Sequence, residues 1–195
     1  MLRLGGSEGN ARLTGTTGVL LIALLAVEGV TILFLQPLIS VHVFVGLLLV
    51  PPLALKLAST GWRFLAYYAR RPDYVAKGPP HVVLRILVAP AVILSTLLVF
   101  GTGIAMLGVH PRSAALVLLH KASFVVWFGA TGIHVLAHVL DLRRLATADW
   151  RAVTRLPAAR FRLGLVVLSV VAGVAFAAGL AHLADPWLTW VAARH

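Results

Sequence analysis

Apolar residues run along this chain in five long blocks, over about residues 17–38, 40–59, 83–107, 114–140 and 163–184. A helix needs ~20 largely apolar residues to cross a hydrocarbon core about 30 Å thick, and each block is long enough. The pattern predicts an all-α bundle of five transmembrane helices, built as one membrane domain over residues 1–195. Only a Gln36–Pro37 corner parts the first two blocks, so they should form a hairpin. Two polar stretches, 61–80 and 141–162, separate the second span from the third and the fourth from the fifth. The first of these mixes Trp62, Phe64, Leu65, Tyr67 and Tyr68 with arginines, which suits a helix lying along the membrane surface. The first block holds Glu28 and ends without a small-residue cleavage pattern, so it reads as a span and not as a signal peptide.

Composition sharpens this picture. The 195 residues are 60% hydrophobic and 12% charged, against roughly a quarter charged in a soluble domain. That excludes a soluble enzyme, a disordered tail and a free-standing nucleic-acid-binding module. The net charge of +11 must therefore sit in loops at a membrane surface. Arg3, Arg12 and the stretches 56–85 and 143–162 carry nearly all of it, leaving only Arg112, Lys121 and Arg194 for the other side. The positive-inside rule then places the N-terminus and both long loops in the cytoplasm and the C-terminus outside. An odd number of spans requires the same arrangement. Trp62 at one level and Trp187 and Trp190 at the other suit interfacial belts.

The chain has no cysteine, which excludes thiolate chemistry and leaves ligation to eight histidines. Three of them, His120, His134 and His138, lie on the fourth span. At 100° per residue they share one stripe about 40° wide, with Phe124, Trp127 and Thr131 between them. The step from His120 to His134 covers ~21 Å, so His120 lies near the outer edge and the other two near the inner edge. An imidazole in hydrocarbon is costly unless paired or ligated. His42, in the first turn of the second span, matches the depth of His120. Two imidazoles from facing helices at one depth are what a six-coordinate haem b requires. Gly46, one turn below His42, would leave room for a flat macrocycle, and Arg112 and Lys121 would meet its propionates. Phe124 and Trp127 read as core packing, and Gly101, Gly103, Gly129 and Gly132 as points of close helix contact.

The inner histidines leave three readings open. His81, behind Gly78–Pro79–Pro80, reaches His134 or His138 to complete a second bis-histidine site. Alternatively His134 and His138, at i and i+4, form half of a non-haem metal site, or both simply end hydrogen bonds at the end of the bundle. Glu28, near the middle of the first span, must be protonated or bonded to a neighbouring helix. It is a candidate for a proton relay or a quinone contact, beside the plainer reading of one interhelical hydrogen bond. Pro51–Pro52 should kink the second span and tilt its lower half away from the fourth. His110, His182 and His195 read as solvated surface groups.

The stretches VEGVTILFLQPLISVHVFVGLLLVPPLALKLASTGWRF and LHKASFVVWFGATGIHVLAH resemble a group of bacterial integral membrane proteins with the layout of the cytochrome b superfamily. The resemblance covers roughly residues 18–140 and rests on His42, His120, His134 and His138. It implies a bacterial cytoplasmic membrane, axial ligation of haem b by His42 and His120, and electron passage between a quinone pool and a partner redox protein. The sequence departs from a dihaem pattern at Lys56, fourteen residues after His42, where a second ligand histidine would stand. A lysine so near a helix end is expected to snorkel to the headgroups.

Two classes of function compete. The first is a b-type cytochrome with one haem and room for a second, in which bis-imidazole ligation favours electron transfer over oxygen chemistry. It would act as an electron carrier or membrane anchor, as a homo-oligomer or beside a separate catalytic chain, since no flavin or nucleotide motif is present. The second is a cofactor-free transporter or structural subunit, or a metal site built on His134, His138 and His81. The absence of a carboxylate beside those histidines weakens a hydrolytic metal site.

Overall fold

A computed structural model of the chain describes residues 5–78, 82–109, 113–149 and 156–192, the side chains of 139–143 and 190–192 excepted. Its helices are α1 (Gly6–Leu33), α2 (Leu35–Tyr68), the short α3 (Pro72–Val75), α4 (Ala89–Leu107), α5 (Ala114–Thr147), α6 (Ala159–Leu180) and α7 (Asp185–Ala192). No strand occurs among the described residues. Five of the helices are long and apolar enough to cross a membrane, as the hydropathy pattern predicts. A π-helical turn at Leu84–Val88 leads into α4. Pro90 explains it, because a proline ring clashes with the carbonyl four residues earlier and its missing N–H frees that acceptor.

The helices are longer than the apolar blocks that announce them. Helix α1 starts eleven residues before position 17, with Asn10 and Arg12 buried against protein and not in lipid. Helix α2 continues through Gly61–Tyr68 as its last two turns, so this stretch is not a separate surface helix. It stops at Arg70, whose φ of 54° lets the Arg71 amide close onto the Ala66 carbonyl. The first corner lies at Phe34, while Gln36 and Pro37 fall in the first turn of α2, where proline costs no helical hydrogen bond.

Helices α1, α2, α4 and α5 form a ring of neighbours, and α6 packs on the outside of α2. Helices α2 and α5 are diagonal partners in that ring, with no packed seam between them. Leu21, Val45 and Leu49, flanked by Leu24, Leu25, Leu53 and Phe100, make the core just below the level of His42. Leu47, Leu48 and Ala177 fill the seam between α2 and α6. A side chain at Gly173 would run straight into the Leu48 carbonyl oxygen, so this is where the two backbones come closest. By contrast, Cβ atoms at Gly101, Gly129 and Gly132 would meet nothing within 4 Å, so the expected close contacts are not there. These three glycines lie on outward faces of their helices.

Charges are tied together at the end that carries the start of α1. Asp149, 2% exposed, accepts from Arg162 Nε and Nη2 at 2.6 Å each and from Arg12 Nη1 at 3.0 Å. Arg162, also 2% exposed, donates on to the Pro157 carbonyl at 2.8 Å. Asp73 takes the Ser7 amide at 3.0 Å, and Glu8 binds Lys77 at 2.8 Å. Tyr74 is buried beside them, which pushes its phenol above the ordinary value. The described part of residues 141–162, read from the sequence as a polar loop, thus holds the end of α5 and, at Asp149 and Arg162, an anchor for α1 and α6.

The histidine pair between α2 and α5

The site is built from the diagonal of the ring. His42 stands two turns into α2, and the hairpin register brings Glu28 and Thr31 of α1 beside it. His42 Nδ1 lies 2.9 Å from Glu28 Oε1 and 3.1 Å from Thr31 Oγ1. Thr31 Oγ1 itself donates to the Glu28 backbone carbonyl at 2.6 Å, so its oxygen faces the ring as an acceptor. With Glu28 as the carboxylate, the imidazole donates to it from Nδ1. Glu28 has the neighbouring-helix partner that a mid-span acid needs.

His120 is held in the same way by α4. Its Nδ1 lies 3.0 Å from the Val99 carbonyl oxygen and 3.1 Å from Thr102 Oγ1. A carbonyl can only accept, which fixes the proton on Nδ1 here too. Thr102 and Val99 can approach because Gly103 follows them: a Cβ there would sit 3.3 Å from His120 Cε1. Both rings thus keep Nε2 and its lone pair free, with no hydrogen-bond partner for either among the described residues. The ring centroids are 6.4 Å apart and the planes cross at 85°.

Two imidazoles on opposite sides of one iron need about 6 Å between centroids: twice a metal–nitrogen bond of roughly 2 Å plus two ring radii. A ligating histidine almost always gives its other N–H to a carboxylate or a backbone carbonyl. Glu28 and Val99 occupy those two positions. The separation of the rings and their two held Nδ1 atoms meet these two requirements of a bis-imidazole site.

The remaining candidate residues fall into place unevenly. A Cβ on Gly46 would lie 3.5 Å from Glu28 Oε1, so the carboxylate is its nearest neighbour. At i+4 it is turned about 40° from His42, toward α1. Lys121 is exposed and lies about 100° around α5 from His120. Arg112, the other expected propionate contact, lies outside the described residues, as do His81, His110 and His195. His182 is exposed, as expected. Phe124 and Trp127 pack with ring centroids 6.2 Å apart, and Trp127 Nε1 donates to Thr96 Oγ1 at 2.9 Å.

Lower on the stripe, the His134 and His138 rings are 4.7 Å apart, but His138 is exposed and its Nδ1 donates to the His134 carbonyl of its own helix. No group of three or more metal-ligating side chains occurs among the described residues. Lys56 does not snorkel outward. Its ammonium donates to the Thr14 carbonyl at 2.7 Å, and Asn10 reaches the Ser59 carbonyl at 3.0 Å, so the lower half of α2 stays tied to α1. Helix α2 runs on through Pro51 and Pro52, the latter fully buried.

The sequence did not reveal the orienting contacts of the two rings, Thr31, Val99 and Thr102. A serine or threonine one turn from a candidate ligand's partner helix is the only trace they leave. The chain matches no protein-family model, no curated protein and no solved structure.

Proposed function

We propose that this chain is a membrane b-type cytochrome in which His42 and His120 hold one haem b, carrying electrons between a lipid-soluble quinone and a separate redox protein. One observation carries the reading: both imidazoles have Nδ1 bound, by Glu28 and by the Val99 carbonyl, and lie 6.4 Å apart on helices that otherwise do not pack together. Four-helix bundles build cofactor sites in this way, from side chains on facing helices. The haem would supply a reversible one-electron couple. The protein's own share is to aim two lone pairs, hold both rings against rotation and exclude water. Glu28 also sets a negative charge beside one ring, which favours the more positive, oxidised centre.

The charge distribution supports an orientation with the Asp149–Arg162 end in the cytoplasm and the histidine pair toward the outer leaflet of a bacterial cytoplasmic membrane. A single haem suits the lower half of the bundle, where Lys56 replaces the second histidine and His134 lacks an orienting partner. The test is the haem-to-protein ratio of the purified chain, with a reduced-minus-oxidised spectrum. The expected result is one low-spin haem per chain, lost in His42→Ala and in His120→Ala and kept in His138→Ala. A colourless wild-type protein, or haem kept in both ligand variants, would overturn the proposal.

A further inference from the structure

His134 and His138 take no part in the site between α2 and α5, yet their rings lie together. They stand four residues apart on α5, where side chains sit one above the other on a single face. The ring centroids are 4.7 Å apart and the planes are tilted by 34°. His138 Nδ1 lies 2.9 Å from the His134 carbonyl oxygen. A carbonyl only accepts, so the His138 proton sits on Nδ1 and the Nε2 lone pair is free. The ring nitrogens of His134 make no hydrogen bond among the described residues. His138 is exposed and His134 half-buried, so the pair is open to a ligand from outside the bundle. An imidazole in a membrane span is costly without a partner, and here two share one turn of helix.

The spacing of the rings has a meaning in coordination chemistry. A metal–nitrogen bond of roughly 2 Å puts each ring centroid about 3.2 Å from the ion. Two imidazoles at neighbouring positions on that ion, about 90–110° apart, have centroids about 4.5–5.2 Å apart. The lower pair falls in that range at 4.7 Å, whereas the upper pair, at 6.4 Å, has the separation of rings on opposite sides. We propose that His134 and His138 chelate one divalent transition-metal ion of the imidazole-preferring kind, zinc above all. Two histidines at i and i+4 on a helix are the spacing that zinc metalloproteases use. Calcium and magnesium are the poorer occupants, because they take oxygen ligands. The His134 carbonyl gives His138 the second-nitrogen partner that ligating histidines almost always have, and water can serve the half-buried His134. Two protein ligands leave the ion at least two further positions for water or for a donor carried by another molecule. Val135, Leu136 and Ala137 between the histidines offer no acid or base, so this turn supplies no group to activate a bound water. The ion cross-links one turn of α5.

The test is a calorimetric titration of the purified full-length chain with zinc chloride, in detergent, after treatment with a chelator and with no histidine tag. The expected result is saturable uptake of one zinc per chain. His134→Ala and His138→Ala should each weaken it more than about tenfold, the loss that even an outer-shell partner causes. His182→Ala, at an exposed histidine elsewhere, should leave it unchanged. Zinc should also raise the melting temperature of the wild-type chain, since a ligand of the folded state stabilises it, and should not do so in either variant. The haem-to-protein ratio and the helix content of both variants should match wild type. No saturable uptake by the wild-type chain, or uptake unchanged in both variants, would overturn the site. An equal loss in His182→Ala would overturn it too, as the mark of adventitious surface binding only. Zinc lost in His42→Ala and kept in His134→Ala and His138→Ala would place the ion between α2 and α5 and overturn this site as well. The proposal stands apart from the haem reading. A colourless protein that takes zinc through His134 and His138 keeps this site and removes the haem, and a haem protein that ignores zinc does the reverse.

Discussion

Glu28 shows how a residue takes its role from one contact. A carboxylate in the middle of a span demands a partner, and the demand is legible in the sequence. The partner is not, because it depends on the hairpin turning at Phe34 so that Glu28 and His42 face each other. Outer-shell partners of a ligating histidine are typically worth 10–100-fold in metal affinity. Glu28→Ala should therefore weaken haem binding by about that range in reconstitution of the haem-free protein, whereas Glu28→Gln should bind haem and raise its reduction potential. An Ala variant that binds haem as tightly as wild type would show that the carboxylate does not hold the ring. Gly103 is the matching case on the other helix. Gly103→Val would press on the His120 ring and should lower haem content with little change in helicity.

At the level of helices, existence and number could be read from the apolar blocks, but their ends and their seams could not. Hydropathy marks where lipid is, whereas backbone hydrogen bonds continue as long as the next residue finds protein to pack against. Asn10 and Arg12, in the first turns of α1, and Asp149, in the turn just after α5, are buried polar residues in stretches that look like loops from composition alone. Asp149 is the shared anion of two buried guanidiniums. Removing one partner of such a group costs about 3–5 kcal/mol, so Asp149→Ala should lower the stability of the detergent-solubilised protein by that order in a thermal or denaturant melt. A substitution at an exposed charge, such as Arg70→Ala, should cost far less. The α2–α6 seam is equally specific, since Gly173→Leu would collide with the Leu48 carbonyl. That variant should fail to seat α6 and lose stability by more than the 1–3 kcal/mol typical of overpacking. The glycine could not be singled out in the sequence, because α6 holds two others, Gly164 and Gly179, and only the crossing point tells them apart.

For the whole molecule, five spans and a basic end follow from pattern and charge, and the pairing of His42 with His120 follows from matching depth. What the sequence does not carry is the ring of α1, α2, α4 and α5 that makes α2 and α5 diagonal and leaves the two imidazoles as their meeting point. Topology has a direct check, because the chain has no native cysteine. In intact spheroplasts a membrane-impermeant maleimide should label a Thr189→Cys variant, while Ala76→Cys should react only after the membrane is opened. The reverse pattern would put the histidine pair at the inner leaflet. The central claim is tested most directly by electron paramagnetic resonance of the oxidised, purified protein at low temperature. Two imidazoles crossed at 85° around one ferric iron predict a low-spin signal of the strongly anisotropic kind. A high-spin ferric signal, or none from haem at all, would contradict the account.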